Sequence, residues 1–137
     1  MKALSLPYVL CFEQTNPGFD ILIISPSRKE PRKTHLTFIE VRYSASQSET
    51  SDRLAKYKSK YASVSEAMAS LRGGLKMRTK SKKASSNDVV EIEWHFVFAT
   101  FRDTNIGVDQ VHNNTILLDR SGLRTFYGRS MSSLGML

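Results

Sequence analysis

The fold is decided by the stretch PGFDILIISPSRKEPRKTHLTFIEVRYS, residues 17–44. Two segments of it, 19–25 and 35–43, are short, apolar and rich in β-branched residues, which is typical of β-strands. The polar segment between them, 26–34, contains two prolines and therefore predicts a loop. Together the three segments predict a β-hairpin.

Each predicted strand of this hairpin carries one carboxylate, Asp20 in the first and Glu40 in the second. If the hairpin is centred in the middle of its loop, Asp20 comes directly opposite Glu40. Arg42 lies on the same face, because it follows Glu40 by two positions. A tight turn ahead of the hairpin would bring Glu13 opposite Asp20, and the sequence therefore predicts a layer of acids across three strands.

Like charges at this separation destabilise a sheet unless a cation compensates them. A divalent ion such as Mg²⁺ takes oxygen ligands and is often held by one or two carboxylates and several waters. Such an ion activates water and stabilises charge on a reacting phosphate. Two other interpretations remain open: Arg42 alone neutralises a structural cluster, or the carboxylates lie at solvent-exposed strand ends.

The rest of the chain predicts three further strands, at 6–14, 89–101 and 115–119. An apolar stripe from Leu54 to Leu71 predicts an amphipathic helix that ends at the Gly73–Gly74 pair. Residues 75–88 are then expected to form a mobile basic loop. The order β-β-β-α-β-(α)-β-α predicts one α/β domain over residues 1–137, with a mixed central sheet and flanking helices.

The composition is that of an ordinary globular domain of 137 residues, with 40% hydrophobic and 24% charged residues. No run of about 18 apolar residues occurs, so no membrane span is predicted. The single cysteine, Cys11, excludes an internal disulfide and favours a reducing, intracellular compartment. We expect Cys11 to be a small buried hydrophobic residue.

The net charge of +7 is concentrated in one segment. From Arg53 to Lys83 there are ten basic residues and one acid, a net charge of +9, which leaves −2 for the rest. This asymmetry indicates an anionic partner, although a solvated helix face followed by a charged loop would look the same. The residues that could follow a nucleic-acid backbone are Lys56, Lys58, Lys60, Arg72, Lys76, Arg78, Lys80, Lys82 and Lys83. The run KMRTKSKK is also typical of a nuclear-localisation signal.

With GFD at the start of one strand and IEVRYS in the next, followed by a helix, the chain resembles the PD-(D/E)XK nuclease superfamily. The motif of that superfamily is an Asp on one strand of a hairpin and Glu-X-Lys on the next. The predicted order of elements from 19 to 101 fits its restriction-endonuclease-like core. The segments EWHFVFATFR and TILLDRSGLRTFYG also look like the end of nuclease-like domains in Crinkler and retrotransposon-hot-spot proteins.

The resemblance implies that Asp20 and Glu40 bind Mg²⁺ together with the carbonyl of Val41. The lysine of the motif falls on Arg42, which is a departure, since arginine stays charged and can only orient groups or stabilise anions. No helix fits ahead of residue 6 to carry the usual further acid, so Glu13 or Gln14 would have to complete the site.

Two hypotheses from different classes therefore follow. The first is a nucleic-acid-binding domain that cleaves DNA or RNA as a Mg²⁺-dependent phosphodiesterase. The second is a catalytically inactive interaction or effector module on the same scaffold, in which Asp20, Arg42 and Glu40 form a structural ion cluster. Both are compatible with a homodimer or with a place in a larger protein.

Overall fold

The computed structural model describes residues 7–12, 18–42, 53–81, 90–100, 104 and 106–122, with side chains of the helix described as far as residue 76. Its elements are β1 (Tyr8–Cys11), β2 (Ile21–Pro26), β3 (Lys33–Arg42), α1 (Arg53–Ser81), β4 (Glu91–Thr100) and β5 (Thr115–Leu118), with a 3₁₀ turn at Val108–Gln110 before β5. All five predicted strands are therefore present, with ends that differ from the predicted ones by a few residues.

The strands form one sheet in the order β1-β2-β3-β4-β5. The pairs β1–β2 and β2–β3 are antiparallel, whereas β3–β4 and β4–β5 are parallel. Helix α1 lies between β3 and β4 in the sequence and makes the crossover that a parallel pair requires. The prediction of an α/β domain with a mixed sheet is confirmed.

The β2–β3 hairpin has the predicted register, with Leu22 opposite Phe38 and Ile24 opposite Leu36. The preceding hairpin does not. There the N–H of Phe12 donates to the carbonyl of Asp20 at 2.8 Å. This extends the register of β1 and β2 and differs by one residue from the register that would put Glu13 opposite Asp20. The prediction is wrong because loop length sets hairpin register, and a one-residue shift exchanges the two faces.

The hydrophobic core lies between the sheet and one side of α1. Side chains at every second position of β3 and β4 point toward the helix, as the alternation of a strand requires. The buried members of this core are Leu36, Phe38, Tyr57, Val64, Met68, Phe96 and Phe98. Cys11, by contrast, is exposed on β1, so its predicted burial is wrong.

Helix α1 does not end at Gly73–Gly74 but continues to Ser81. Neither glycine adopts the left-handed φ of a helix stop, and a Cβ at either position would meet nothing within 4 Å. A glycine inside a helix costs only about 1 kcal/mol relative to alanine, so the ladder of hydrogen bonds can run through the pair. Residues 75–81 are thus helical rather than part of a mobile loop, and 82–88 lie outside the described residues.

Within the described ranges, no helix combines the length and the apolar composition needed to cross a membrane.

Candidate active site

Glu40 lies near the carboxyl end of β3, opposite Phe98 of β4. It follows Leu36 and Phe38 on the face that packs against α1, and only 2% of its surface is exposed. Because successive side chains of a strand alternate between faces, the Glu40 carboxylate lies between the sheet and the helix, like the core residues before it. An ionised carboxylate at such a position needs charged or hydrogen-bonding partners.

Two cations approach the same oxygen of Glu40. Arg42 Nε lies 2.8 Å from Glu40 Oε1, and Lys60 Nζ lies 3.3 Å from it. The Arg42 Nε contact is an ion pair without hydrogen-bond geometry. Glu40 Oε2 is fully buried and accepts no hydrogen bond from the part of the chain that the structure describes. One oxygen of the carboxylate is thus shared by two cations, while the other has no donor.

The pKa of Glu40 is raised above its ordinary value, chiefly because burial disfavours the charged form. The Arg42 guanidinium and the Lys60 ammonium lower the pKa, and the neighbouring Asp20 carboxylate raises it. Burial outweighs both ion pairs. The ionised form of Glu40 therefore lacks hydration that its two cations do not fully replace.

Asp20 lies just before β2, where the chain bends. Its N–H donates to the carbonyl of Ile39 at 2.9 Å, and its Oδ2 accepts the N–H of Val41 at 2.8 Å. The Asp20 carboxylate therefore accepts the hydrogen bond of a β3 N–H group just beyond the last backbone pair of β2 and β3. This bond fixes Asp20 beside the residue that follows Glu40, and its charge acts on Glu40 as the pKa shows.

Lys60 reaches the site from α1, the layer above the sheet. Sequence reasoning grouped it with the residues that would follow a nucleic-acid backbone, yet its side chain is only 15% exposed and its ammonium contacts Glu40. Lys60 follows the buried Tyr57 by three positions and precedes the buried Val64 by four. This spacing places it on the packed side of the helix and could have distinguished it from its neighbours. Asp20, Glu40, Arg42 and Lys60 are called the Glu40 cluster below.

The other basic side chains of α1 differ in their surroundings. Lys58 and Lys76 are exposed, and Lys56 is half-buried. Arg72 is exposed but donates through Nη2 to the carbonyl of Ile92 at 3.1 Å, so part of its guanidinium serves the fold. Of the remaining predicted contacts, the side chains of Arg78 and Lys80, and the whole of Lys82 and Lys83, lie outside the described residues.

The Glu40 cluster could hold a divalent cation through two carboxylates. Glu40 Oε2 has no donor, and only Oδ2 of Asp20 is taken by Val41 N–H. Mg²⁺ commonly binds to one or two protein carboxylates and keeps several waters. Over the described ranges, no group of three His, Cys, Asp or Glu side chains could hold a metal, and Glu13 and Gln14 lie outside those ranges. Within those ranges a cation at the unpartnered Oε2 would therefore have at most two carboxylate ligands from the protein.

Fold and site together define an α/β-sheet domain with a cluster of two carboxylates and two cations at the junction of a β-hairpin and a crossover helix. The chain matches no protein-family model, no curated protein and no solved structure. The function must therefore be argued from the site itself.

Proposed function

We propose that this chain is a nucleic-acid-binding domain of the PD-(D/E)XK type, which cleaves DNA or RNA as a Mg²⁺-dependent phosphodiesterase. The observation that carries the proposal is the unpartnered oxygen of Glu40. Oε2 is buried without a donor, beside a second carboxylate, in a group whose pKa burial raises. A divalent cation at this oxygen would offset both costs, the unmade hydrogen bond and the lost hydration of the carboxylate.

The order of elements supports a restriction-endonuclease-like core. Three antiparallel strands precede the crossover helix, which leads to a parallel fourth strand. Asp20 directly precedes the second strand, whereas the motif has its Asp on the strand itself, and Glu40 lies near the end of the third strand. The order of elements supports the motif, since an Asp and a Glu-X-Arg alone are frequent in any sequence.

Three residues of the Glu40 cluster then have a chemical role. Asp20 and Glu40 would hold Mg²⁺, with Val41 beside them as the third residue of the implied ligand set. A bound Mg²⁺ supplies Lewis acidity and a water of lowered pKa. Arg42 favours the ionised form of Glu40 and, being permanently charged, can also bind a phosphate oxygen.

The basic side of α1 is the proposed contact for the nucleic-acid backbone. Lys58 and Lys76 are exposed, and the helix that carries them also carries Lys60 into the Glu40 cluster. Phosphate contacts of this kind are independent of base sequence and weaken as salt increases. We therefore expect binding with little sequence preference.

A second candidate function has an observation of its own. The Glu40 cluster contains two carboxylates and two cations, so its formal charge is zero without any metal. In this alternative the cluster joins α1 to the sheet, and the domain is a catalytically inactive interaction module. The buried Oε2 of Glu40 argues against it, because this oxygen has no hydrogen-bond partner among the described residues, and a cluster that serves stability alone is expected to pair its buried polar atoms.

The test is a cleavage assay on plasmid DNA, single-stranded DNA and structured RNA with Mg²⁺, Mn²⁺ or chelator. Wild type, Asp20→Asn and Glu40→Gln would be compared, with Glu30→Gln as a control that removes an exposed carboxylate. We expect cleavage only with metal, lost in the first two variants and kept in the control. Mg²⁺ should also raise the melting temperature of the wild type and not that of Asp20→Asn. Metal-independent binding without cleavage, unchanged in all variants, would favour the interaction module.

A further inference from the structure

We infer that His112 and Tyr61 form a stacking site for one unpaired nucleobase, so that this domain selects single-stranded nucleic acid. The inference rests on the proposed nucleic-acid-binding function and deepens it by naming the form of the substrate. Its basis is the geometry of two rings. The ring centroids of His112 and Tyr61 lie 3.8 Å apart, and the two ring planes are inclined by 11°, so the rings are stacked face to face.

Hydrogen bonds fix both members of this stack. The backbone N–H of His112 donates to the hydroxyl of Tyr57 at 2.9 Å, and the carbonyl of His112 accepts the N–H of Thr115 at 2.9 Å. The hydroxyl of Tyr61 donates to Asn114 Oδ1 at 2.8 Å. One ring is thus held through its backbone and the other through its hydroxyl. A surface that is rigid before binding loses little conformational entropy when a ligand docks on it.

The stack leads from the core to the surface. Trp94 lies behind Tyr61, with ring centroids 5.3 Å apart, and both of these residues are half-buried. His112 is exposed, although Tyr61 covers one face of its imidazole. The other face of the imidazole is therefore directed toward solvent. A flat ring that is supported from behind and open in front is the kind of surface on which nucleobases stack.

Positive charge lies along the same side of α1. Lys58 precedes Tyr61 by three positions, so the two residues are neighbours on the helix surface. Lys76 lies about five turns further along than Lys58 and therefore projects from the same side. Both lysines are exposed. A row of cations beside an aromatic ring can hold phosphates while the ring holds a base, which is how single strands are bound.

This arrangement favours a single strand over a duplex. In a duplex both faces of a base are covered by its neighbours, so a base could reach the imidazole only after it had been unstacked, which costs free energy. The stacking site is also separate from the Glu40 cluster. Glu40 lies on β3 and His112 lies just before β5, with β4 between these two strands. Changes at His112 should therefore leave the response to Mg²⁺ intact.

The experiment measures the binding of labelled oligonucleotides by fluorescence anisotropy, in chelator so that metal-dependent cleavage does not occur. The probes are single-stranded DNA, single-stranded RNA, a DNA duplex, and a DNA strand whose sugars carry no bases. His112→Ala removes the ring, and His112→Phe keeps a flat ring without the imidazole nitrogens. Asn113→Ala, at the exposed neighbouring position, is the matched control. The melting temperature of each variant shows whether it is folded.

We expect His112→Ala to weaken the binding of the single strands by about fivefold or more, since one stack of a base on an aromatic ring contributes at least this much. Binding of the duplex and of the strand without bases should stay at the wild-type level, because neither can supply a free base face. His112→Phe and Asn113→Ala should bind the single strands as the wild type does. The larger loss, on DNA or on RNA, identifies the strand that the site prefers.

Three results would overturn the inference. Wild-type binding of single strands by His112→Ala would show that the ring contributes nothing. An equal loss on the strand without bases would make His112 a backbone contact. A loss in His112→Phe as large as that in His112→Ala would assign the effect to the imidazole nitrogens instead of to stacking. In all three cases the wild type still binds nucleic acid, and the proposed function stands. A wild type that binds none of the probes would contradict the proposed function and this site together.

Discussion

Two ion clusters occupy opposite ends of β3 and opposite faces of the sheet. The Glu40 cluster lies under α1. The second, called the Lys33 cluster, consists of Glu30, Lys33, His35 and Glu93 on the face that α1 does not cover. In the Lys33 cluster, Lys33 Nζ lies 3.7 Å from Glu30 Oε2 and 3.5 Å from Glu93 Oε2, and His35 Nδ1 lies 3.0 Å from Glu93 Oε2. The two clusters have similar residue types and similar distances.

They differ in exposure. The side chain of Glu40 is 2% exposed, whereas those of Glu93 and Glu30 are 47% and 61% exposed. In the Lys33 cluster the pKa of Lys33 is raised, first by the charge of Glu30 and then by that of Glu93. In the Glu40 cluster burial has the largest effect and raises the pKa of Glu40 despite its two cations. Equal distances therefore do not mean equal energetics, and only the buried cluster holds charge at a cost that a ligand could relieve.

The largest expected effect comes from removing both cations of the Glu40 cluster. The double variant Arg42→Met with Lys60→Met leaves Glu40 buried without a counter-charge, which should lower the free energy of unfolding by about 3 kcal/mol. The matched change in the Lys33 cluster, Lys33→Met, should alter it little, because its partners remain hydrated. Urea unfolding at neutral pH measures both. Equal losses in the free energy of unfolding would show that burial does not make the Glu40 ion pairs more important for stability than those of the Lys33 cluster.

The next effect concerns the helix that covers only one of the clusters. Gly73→Ala with Gly74→Ala should raise the free energy of unfolding by about 0.5 to 1 kcal/mol for each residue, since both lie in a helical backbone with open space at the Cβ position. Thermal and urea unfolding measure the gain. A loss of stability would mean that a kink at the glycines, rather than a regular helix, is the native geometry.

Much of the fold could be predicted from the sequence because it depends on local patterns. The alternation of Leu36, Phe38 and Glu40 predicts their common face, and the apolar stripe predicts the packed side of α1. The end of the helix could not be predicted, since glycine is tolerated wherever the hydrogen-bond ladder continues.

The composition of the site is less predictable, because part of it depends on contacts between residues far apart in the sequence. The pairing of Asp20 and Glu40 follows from a hairpin centre, which the loop indicates. The approach of Lys60 to Glu40 joins residues 20 positions apart through the packing of a helix on a sheet, and no local pattern contains that contact. The register of Glu13 depends on a turn whose length the sequence does not determine.

A smaller effect is the pH dependence of the free energy of unfolding, which should differ in pH range between the two clusters. The folded-state pKa of Glu40 is raised, so the folded protein holds this proton more tightly than the unfolded chain does. The free energy of unfolding should therefore fall as the pH rises above the ordinary value of 4.5 and through the raised pKa. The variant Glu40→Gln should lack this fall, and Glu30→Gln should keep it. The check is a series of urea unfolding curves across the acid range. A wild type that instead gains stability relative to Glu40→Gln with rising pH would show that the ion pairs outweigh burial.

The smallest effect belongs to the Lys33 cluster: its stabilising contribution is also lost as the pH rises, but in the alkaline range. The pKa of Lys33 is raised above its ordinary value of 10.5, chiefly by Glu30, so its ammonium stabilises the folded state at all pH values below 10.5. That contribution disappears as the pH rises through the raised pKa. Glu30→Gln should weaken this alkaline loss, and added salt should weaken it further, because the charges are exposed and screened. Alkaline unfolding curves at low and high salt measure it. A salt-sensitive alkaline transition that Glu30→Gln weakens reports on the Lys33 cluster. The acid transition should respond much less to salt, because the charges of the Glu40 cluster are shielded from solvent.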